Sequence, residues 1–463
     1  MEKKYSELLG NTLIFAIGSI SSKLILFFMV PLYTNVLSTK EYGTVDLVQT
    51  IALLSVPIIS LMTQDSMLRF GLAKNVNKDV ILKNSLLITM INGLIGMCII
   101  PILNYYNSIS EWRWYLYVIV MVSILTEILL AYVKVSGKNK IYSLSNILAT
   151  FILSFFNIIF LLKFKWGIKG FLLSIIGSQC ISIMFLLIKS ECYNKILKVR
   201  LDIVLLKKML QYSLPLVINN LSWWILNLSD KIMIEYFYGI EILGIYTVAS
   251  KIPALFSMIN SIFLQAWTIS VIKSYEKNED SNFCSVIFNN YSVVMFGTIS
   301  FFMLVLKMFI NFYVGIEYRE ALKYIPLLLF GSIFYGISLF FGSVYSAAKK
   351  NMYITLTTII AAIINGVINI LLLSRIGVMA ASLSTAISYF FIGIYRMIDS
   401  RRFFYFKINL SNFFVNCLLC LIQTIFITIY ENTMFVSFIV LIFFIINNIK
   451  ILNKGYKNWK KLR

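Results

Sequence analysis

The sequence of 463 residues contains no histidine, and charged residues make up only 13% of it. Without histidine, imidazole acid–base catalysis and histidine-ligated zinc are excluded. A soluble domain carries about 25% charged residues, and the shortage of charge here extends over the whole length. The G-x-x-x-x-G-K-[ST] loop that binds ATP is also absent. We therefore expect no enzyme, no cofactor, no metal site and no separate soluble domain.

Cysteine is scarce too, with six residues in the chain. Cys417 and Cys420 form a C-x-x-C pair inside an apolar stretch, where buried small hydrophobic side chains are a better interpretation than redox chemistry. The N-terminus is polar and lacks the short hydrophobic region and cleavage site of a secretory signal. The first apolar run is therefore expected to remain in the protein as a helix.

What the chain has in excess is apolar surface, with 59% hydrophobic residues and a mean hydropathy of +0.85. The apolar runs are continuous, which favours helices over a β-barrel of alternating segments. The expected fold is an all-α polytopic membrane protein with about 14 spans. The predicted spans are approximately 12–36, 44–70, 83–104, 114–135, 142–163, 168–188, 211–236, 244–272, 287–312, 322–346, 353–373, 378–398, 408–430 and 434–449.

Basic residues outnumber acidic ones, 41 to 20, for a net charge of +21. Most of them fall in alternate connectors on the same side as the N-terminus, which predicts two cytoplasmic termini and a multi-pass protein of the bacterial inner membrane. Because they line connectors and not one soluble face, nucleic acid is not an expected partner. The basic, amphipathic linker 189–210 is expected to lie on anionic lipid.

The two halves of the chain resemble each other, as in transporters built from parallel repeats. Each half has a basic turn, a tyrosine and an Asn-Ile pair, at Asn157 and Asn369, and Gly43 corresponds to Gly244. We therefore expect two six-helix lobes around a central cavity, 1–188 and 211–398. The region 399–463, with helices 13 and 14 and a basic tail, stands outside the repeat.

Six motifs carry a resemblance to a known family. In the first half they are L-G-N-T-L-I-F-A-I-G-S from Leu9, P-L-Y-T-N-V-L-S-T-K-E-Y-G from Pro31 and S-M-L-R-F-G-L from Ser66. In the second half they are Y-S-L-P-L from Tyr212, S-D-K-I-M-I-E-Y-F from Ser229 and L-G-I-Y-T-V-A-S-K-I from Leu243. In order and spacing, the chain resembles the Wzx-type or O-antigen polysaccharide flippases of the multidrug/oligosaccharidyl-lipid/polysaccharide exporter superfamily.

The resemblance implies a flippase that works by alternating access. Its cargo would be undecaprenyl-pyrophosphate-linked oligosaccharide, moved from the inner to the outer leaflet for O-antigen or capsule biosynthesis. The polysaccharide polymerase machinery is an implied partner. The family usually has 12 helices, and the extra two predicted here are a feature of the related lipid II flippases.

Cations within the spans are candidates for binding an anionic substrate. A Lys or Arg at a helix centre costs roughly 2.5–3.5 kcal/mol on insertion scales, so such a residue indicates function or a structural partner. Lys23 lies near the middle of helix 1, Arg69 near one end of helix 2, and Lys231 and Lys251 in helices 7 and 8. Snorkelling to the interface remains the alternative for the last three.

Acidic residues within the spans are candidates for ion coupling or for structural pairs. Asp65 precedes Arg69 by one helical turn, which is the spacing of an ion pair. Asp230 is adjacent to Lys231 but points about 100° away from it, so the two are expected to have different partners. Glu127 in helix 4 could carry a coupling proton or sodium ion, and Asp46 is better interpreted as an interfacial residue.

Two other functions compete with that of a flippase. A cation-coupled multidrug exporter of the same superfamily would favour acidic residues for binding its substrates, whereas cations are at least as prominent here. A polysaccharide polymerase or ligase would need a long external loop for its catalytic groups, and the predicted external connectors are short.

Replacing Lys23 by Ala is expected to abolish export of surface polysaccharide while membrane insertion stays normal, because the cation would compensate a desolvated pyrophosphate. The measurement is surface polysaccharide in cells that express equal amounts of either protein. Undiminished export by the variant would remove Lys23 from the substrate path.

Overall fold

The computed structural model describes residues 22, 24–72, 76–193, 199–276, 281–405, 407–430 and 434–461. In that part of the chain there are helices and turns but no strand. Eleven helices there are long and apolar enough to cross a membrane. The expected all-α polytopic fold is confirmed, and the described part of each predicted span is mainly helical. Lys23 lies outside the described residues.

The described residues form the following helices, numbered in chain order. The helices are α1 Leu24–Val36, α2 Thr39–Ser60, α3 Thr63–Gly71, α4 Lys78–Ile99, α5 Arg113–Val135, α6 Asn139–Asn157, α7 Gly167–Ser190, α8 Ile203–Tyr238, α9 Ile240–Glu276, α10 Ser281–Tyr313, α11 Ile325–Ala347, α12 Asn351–Ile376, α13 Met379–Asp399, α14 Leu410–Ile429 and α15 Met434–Lys461. Polar caps mark several starts: Ser38 and Glu41 form a reciprocal capping box at α2, and Asn77 caps α4.

The predicted span 44–70 is not one continuous helix. It breaks between α2 and α3, where Leu61 and Met62 take left-handed backbone conformations with φ of 48° and 54°. Side chains bind backbone groups that have lost their helical hydrogen-bond partners at the break. The Ser60 hydroxyl accepts from the Met62 amide at 3.1 Å, and Asn92 donates to the Ile59 carbonyl at 2.9 Å. The apolar pattern of this span could not show the break because Asn92 lies 33 residues away from Ile59, on α4.

The fold divides into two compact units. The first comprises Met1–Trp224 with Ile240–Gly244, and the second comprises Ile225–Gly239 with Ile245–Arg463. The division therefore falls within helix α8. The two lobes and the linker 189–210 proposed from the sequence remain a prediction, and residues 194–198 of that linker lie outside the described part.

In the first unit, lysines of the basic connectors bind the C-terminal ends of helices. Lys78 donates to the Val135 carbonyl at the end of α5 at 2.9 Å, and Lys138 donates to the Lys189 carbonyl near the end of α7 at 3.2 Å. The carbonyls at a helix C-terminus are unpaired and carry partial negative charge, so a cation stabilises them. These lysines therefore contribute to the fold.

Also in the first unit, the first turns of α2 and α9 touch at two glycines. A Cβ added to Gly43 would lie 2.0 Å from the Ile240 carbonyl oxygen, and one added to Gly244 would lie 2.1 Å from the Thr39 carbonyl oxygen. Neither position has room for a side chain, which explains why glycine recurs at both places.

In the second unit, α11 is buried along nearly its whole length and packs closely against α13. Aromatic rings fill the space around it. Trp267 stacks on Phe340 with centroids 4.1 Å apart and donates its indole N–H to the Phe340 carbonyl at 3.0 Å. A buried indole needs such a polar partner, and this one fixes α9 against α11.

Helices α14 and α15, outside the predicted repeat, are joined by asparagines. Asn448 is fully buried, donates to Asn416 at 2.8 Å and accepts from Asn412 at 3.0 Å. Gln423 ties α14 to α10 by donating to the Ser300 carbonyl at 3.0 Å. Amides between apolar helices favour one register, because a slipped register would leave them unpaired in hydrocarbon.

Replacing Asn448 by Leu is expected to lower the free energy of unfolding by about 1–2 kcal/mol, since interhelical hydrogen bonds in membranes are worth about that much or less. Denaturant unfolding in detergent measures it, with the exposed Ile446→Leu on the same helix as control. Equal stability of the two variants would show that the asparagines do not set the packing of α14 and α15.

Candidate functional site

The centre of the second unit holds a buried carboxylate. Asp230 lies on α8, is 4% exposed, and accepts three hydrogen bonds. The Asn369 amide donates to Oδ1 at 2.5 Å, and the Thr385 hydroxyl donates to Oδ2 at 2.5 Å. The Tyr246 hydroxyl donates to Oδ2 at 3.4 Å. Four helices, α8, α9, α12 and α13, therefore meet at one acid group.

A second set of polar groups supports these donors. Ser384 donates to the Asn369 carbonyl oxygen at 2.9 Å, and Asn365 donates to the Ser384 hydroxyl at 3.2 Å. Ser229 in turn donates to the Asn365 carbonyl oxygen at 3.2 Å. We call these residues the Asp230 cluster: Ser229, Asp230, Tyr246, Asn365, Asn369, Ser384 and Thr385.

Local sequence explains how the cluster forms. Asn365 and Asn369 are one turn apart on α12, so both amides lie on the same face. Ser384 and Thr385 follow soon after the start of α13, which pairs with α12 in an antiparallel arrangement across the short turn at Gly377. Short polar side chains at these positions bring oxygen and amide groups close together between α12 and α13.

The cluster has the chemistry of a site for a monovalent cation or a proton. Its oxygens come from one carboxylate, two amides and hydroxyl groups, which are ligands of hard cations. One carboxylate balances one positive charge, and an ionisable residue within the membrane is a functional candidate. Among the described residues, no group of three or more His, Cys, Asp and Glu side chains could hold a metal ion, so the usual donor set of a transition-metal centre does not occur in that part of the chain.

The candidate lysines of this unit lie close to the cluster in sequence. Lys231 follows Asp230 on α8 and is 9% exposed, while Lys251 is half-buried on α9, about a turn and a half beyond Tyr246. Each has interactions of its own. The hydrogen bonds that hold the Asp230 carboxylate come from Tyr246, Asn369 and Thr385.

The candidates of the first unit do not assemble in the same way. Arg69 is exposed and Asp65 half-buried on α3, and no ion pair within 4.0 Å joins these two described residues. Asp65 instead lies within the electrostatic influence of Lys134 and Glu127 on α5. The spacing allowed a pair, but α3 packs on α5, and Asp65 faces that helix.

The first unit has a neutral counterpart of the Asp230–Asn369 bond. Asn157, which corresponds to Asn369 in the repeat, donates to the Tyr33 hydroxyl at 3.0 Å. Asn157 is fully buried, and its carbonyl oxygen has no hydrogen-bond partner among the described residues. The two units therefore place an asparagine in a similar way but only the second one offers it a carboxylate.

Sequence reasoning missed the partners of Asp230 and one further charge. From the sequence, Asn369 stands out only as part of the repeat, and Asn365 and Thr385 do not stand out at all. The signal was available, because two asparagines at i and i+4 in an apolar helix indicate a polar face. Arg396 lies inside the predicted span 378–398 but is not among the candidate charges, and it is fully buried on α13.

Comparison with known proteins gives a family and a fold. The sequence model of a family described as "Polysaccharide biosynthesis protein" matches residues 8–269. No curated protein matches the chain in sequence. The relations that follow are therefore structural.

Three solved structures illustrate the shared fold. The lipid II flippase MurJ in an inward closed conformation is 15% identical, with 96% of this chain and 99% of that chain covered and a TM-score of 0.71. A MOP superfamily transporter from Pyrococcus furiosus is 14% identical, with 85% and 95% covered and a TM-score of 0.59. The D35N mutant of the Vibrio cholerae MATE transporter VcmN is 11% identical, with 86% and 96% covered and a TM-score of 0.55.

A double-mutant cycle tests the bond between Thr385 and Asp230. Thr385→Val keeps the shape and removes the donor, so it is expected to destabilise the protein by about 1.5–3 kcal/mol when Asp230 is present and by less when Asp230 is replaced by Asn. Unfolding in detergent gives the four free energies. Thr428→Val is the matched control, since its hydroxyl donates only within its own helix, to the Thr424 carbonyl. Additive effects would contradict a charged hydrogen bond.

Proposed function

The chain belongs to the polysaccharide biosynthesis protein family, and from that premise we propose that it is a flippase for undecaprenyl-pyrophosphate-linked oligosaccharide. It moves the repeat unit from the inner to the outer leaflet of the bacterial cytoplasmic membrane, with both termini in the cytoplasm. The family match supports this proposal most directly. The shared fold with a lipid II flippase is compatible with a lipid-linked cargo.

No covalent chemistry is needed for this function. An anionic pyrophosphate loses hydration when it enters the membrane, and cations compensate that loss. We assign this role to Lys23, Arg69, Lys231 and Lys251. The lipid tail stays in the bilayer, so the protein has to accommodate only the head group and its sugars.

We further propose that the Asp230 cluster couples transport to a cation gradient, with a sodium ion or a proton as the coupling ion. The carrying observation is a carboxylate buried among amides and hydroxyl groups from four helices. When the cation binds, it neutralises Asp230. When the cation leaves, the negative charge of the carboxylate is stabilised only by its hydrogen-bond donors. The arrangement of the helices around Asp230 therefore differs in free energy between the cation-bound and the cation-free state. Coupling requires such a difference. Asp65 and Glu127 remain secondary candidates for coupling.

A cation-coupled multidrug exporter is the second candidate function. The observation that favours it is the fold shared with MATE transporters. The family match and the buried Lys231 favour an anionic, lipid-linked substrate instead.

Reconstitution into liposomes separates the two functions. The protein is expected to speed translocation of a fluorescent undecaprenyl-pyrophosphate oligosaccharide and not efflux of an organic dye cation. Dye efflux without lipid translocation would overturn the flippase and establish the exporter.

Asp230→Asn is expected to remove the dependence of translocation on a sodium or pH gradient, because a neutral amide no longer changes charge with the cation. Translocation rates with and without each imposed gradient measure this, and the exposed Glu317→Gln is the matched control. A variant as gradient-dependent as the unaltered protein would contradict coupling at Asp230 without contradicting flippase activity.

A further inference from the structure

Arg396 is another buried charge in the same unit as Asp230. It lies in the last turn of α13 and has no exposed surface at all. Arginine is almost never fully buried unless its charge is paired. The described partners of Arg396 nevertheless include no carboxylate.

Neutral oxygens from two other helices hold the guanidinium. Its Nε donates to the Thr357 hydroxyl at 2.9 Å, and its Nη2 donates to the Thr358 hydroxyl and the Ile354 carbonyl, each at 2.9 Å. Its Nη1 donates to the Ser338 carbonyl at 3.2 Å. Arg396 thus joins α13 to α12 and to α11 through one rigid, planar group.

The nearby carboxylate of Asp399 has other partners. It accepts from the Tyr345 hydroxyl at 2.9 Å and pairs with Arg402 at 3.3 Å. The positive charge of Arg396 is therefore stabilised by dipoles, including the C-terminal end of its own helix. Since four of its five N–H groups are bound to protein, little donor capacity is left for a ligand.

Arg396 and the Asp230 cluster lie at two places along one helix pair. On α12, Thr358 precedes Asn365 by about two turns, roughly 10 Å, on the same face. On α13, Thr385 precedes Arg396 by about three turns, roughly 16 Å, again on the same face. Small buried residues lie between them, Ala361 and Ala362 on α12 and Ser388 on α13.

Small residues let helices approach closely but interlock weakly, so polar ties fix the axial position of one helix against the other. We propose that Arg396 is a positioning residue for the Asp230 cluster. It sets the register of α12 and α13, so that Asn369 from one helix and Thr385 from the other reach the same carboxylate. This inference rests on the proposed coupling at Asp230.

The experiment measures cation binding at Asp230 directly. A hydrophobic carbodiimide modifies protonated carboxyl groups in apolar surroundings, and peptide mass spectrometry reads the modification at Asp230. The full-length protein in liposomes is labelled across a series of sodium chloride concentrations balanced with choline chloride, and across a pH series. The midpoint of the labelling curve is a sodium concentration or a pH. It is taken from whichever series alters labelling of the unaltered protein.

The tie is removed in two ways, by Arg396→Met and by the double substitution Thr357→Val with Thr358→Val. Each variant is expected to shift this midpoint by roughly tenfold or more, as loss of supporting partners does at ion sites. Arg396→Lys keeps the charge and is expected to recover part of the shift. Arg402→Met, at an exposed arginine beyond the same helix, is the control and should leave the midpoint unchanged. Tyr246, Tyr389 and Lys231, which flank Asp230, are the same in every variant.

The outcomes separate positioning from structure. Lower folded yield with an unchanged midpoint in both the Arg396→Met and the threonine variants would overturn the inference. Should Arg396→Met fail to fold, the threonine pair and Arg396→Lys decide it. If neither sodium nor pH alters labelling of the unaltered protein, coupling at Asp230 is wrong and this inference is wrong with it.

Discussion

A carboxylate buried between apolar helices is the constraint on which the second unit depends. Asp230 is buried, and in hydrocarbon each unpaired polar group costs several kcal/mol. Its donors must therefore come from neighbouring helices, and Asn369, Thr385 and Tyr246 supply them. This requirement fixes four helices relative to one another more specifically than apolar contact does, because lipid chains solvate an apolar face as well as a neighbouring helix does.

The same principle recurs through the molecule with different groups. Asn448 and its neighbours join α14 to α15, and Arg396 joins α11, α12 and α13. In the first unit, lysines bind helix C-termini and Asn157 binds Tyr33. At Asp230 such a tie involves a buried acid held by an amide and two hydroxyl groups. The ties at Asn448 and Asn157 use neutral groups alone, and the carboxylate at Asp230 is the reason for proposing a cation there.

The sequence was sufficient for the helices and for part of the site. Length and continuity of the apolar runs predicted the spans, because hydrocarbon thickness sets that length directly. Asp230 was recognised since a charge in such a run is conspicuous. Its partners were not, because Asn365 and Thr385 are common in membrane helices and become significant only through contacts more than a hundred residues away. The break at Leu61 and the burial of Arg396 also depend on contacts between helices, with partners 33 residues away at the break and 38 to 58 residues away at Arg396.

The difference between the two units bears on how transport is driven. If both repeats carried an acid at the equivalent place, two cations could bind, one in each. Asn157 instead meets the phenol of Tyr33, which stays neutral through the physiological pH range, whereas Asn369 meets Asp230. Under the proposed coupling, the second unit has a cation-dependent state at its asparagine, and the corresponding Asn157 binds a neutral phenol instead. Coupling then requires only that this unit's helix register differ between the two states of Asp230, and the helix pair α12 and α13 holds both the donors and the means of fixing that register.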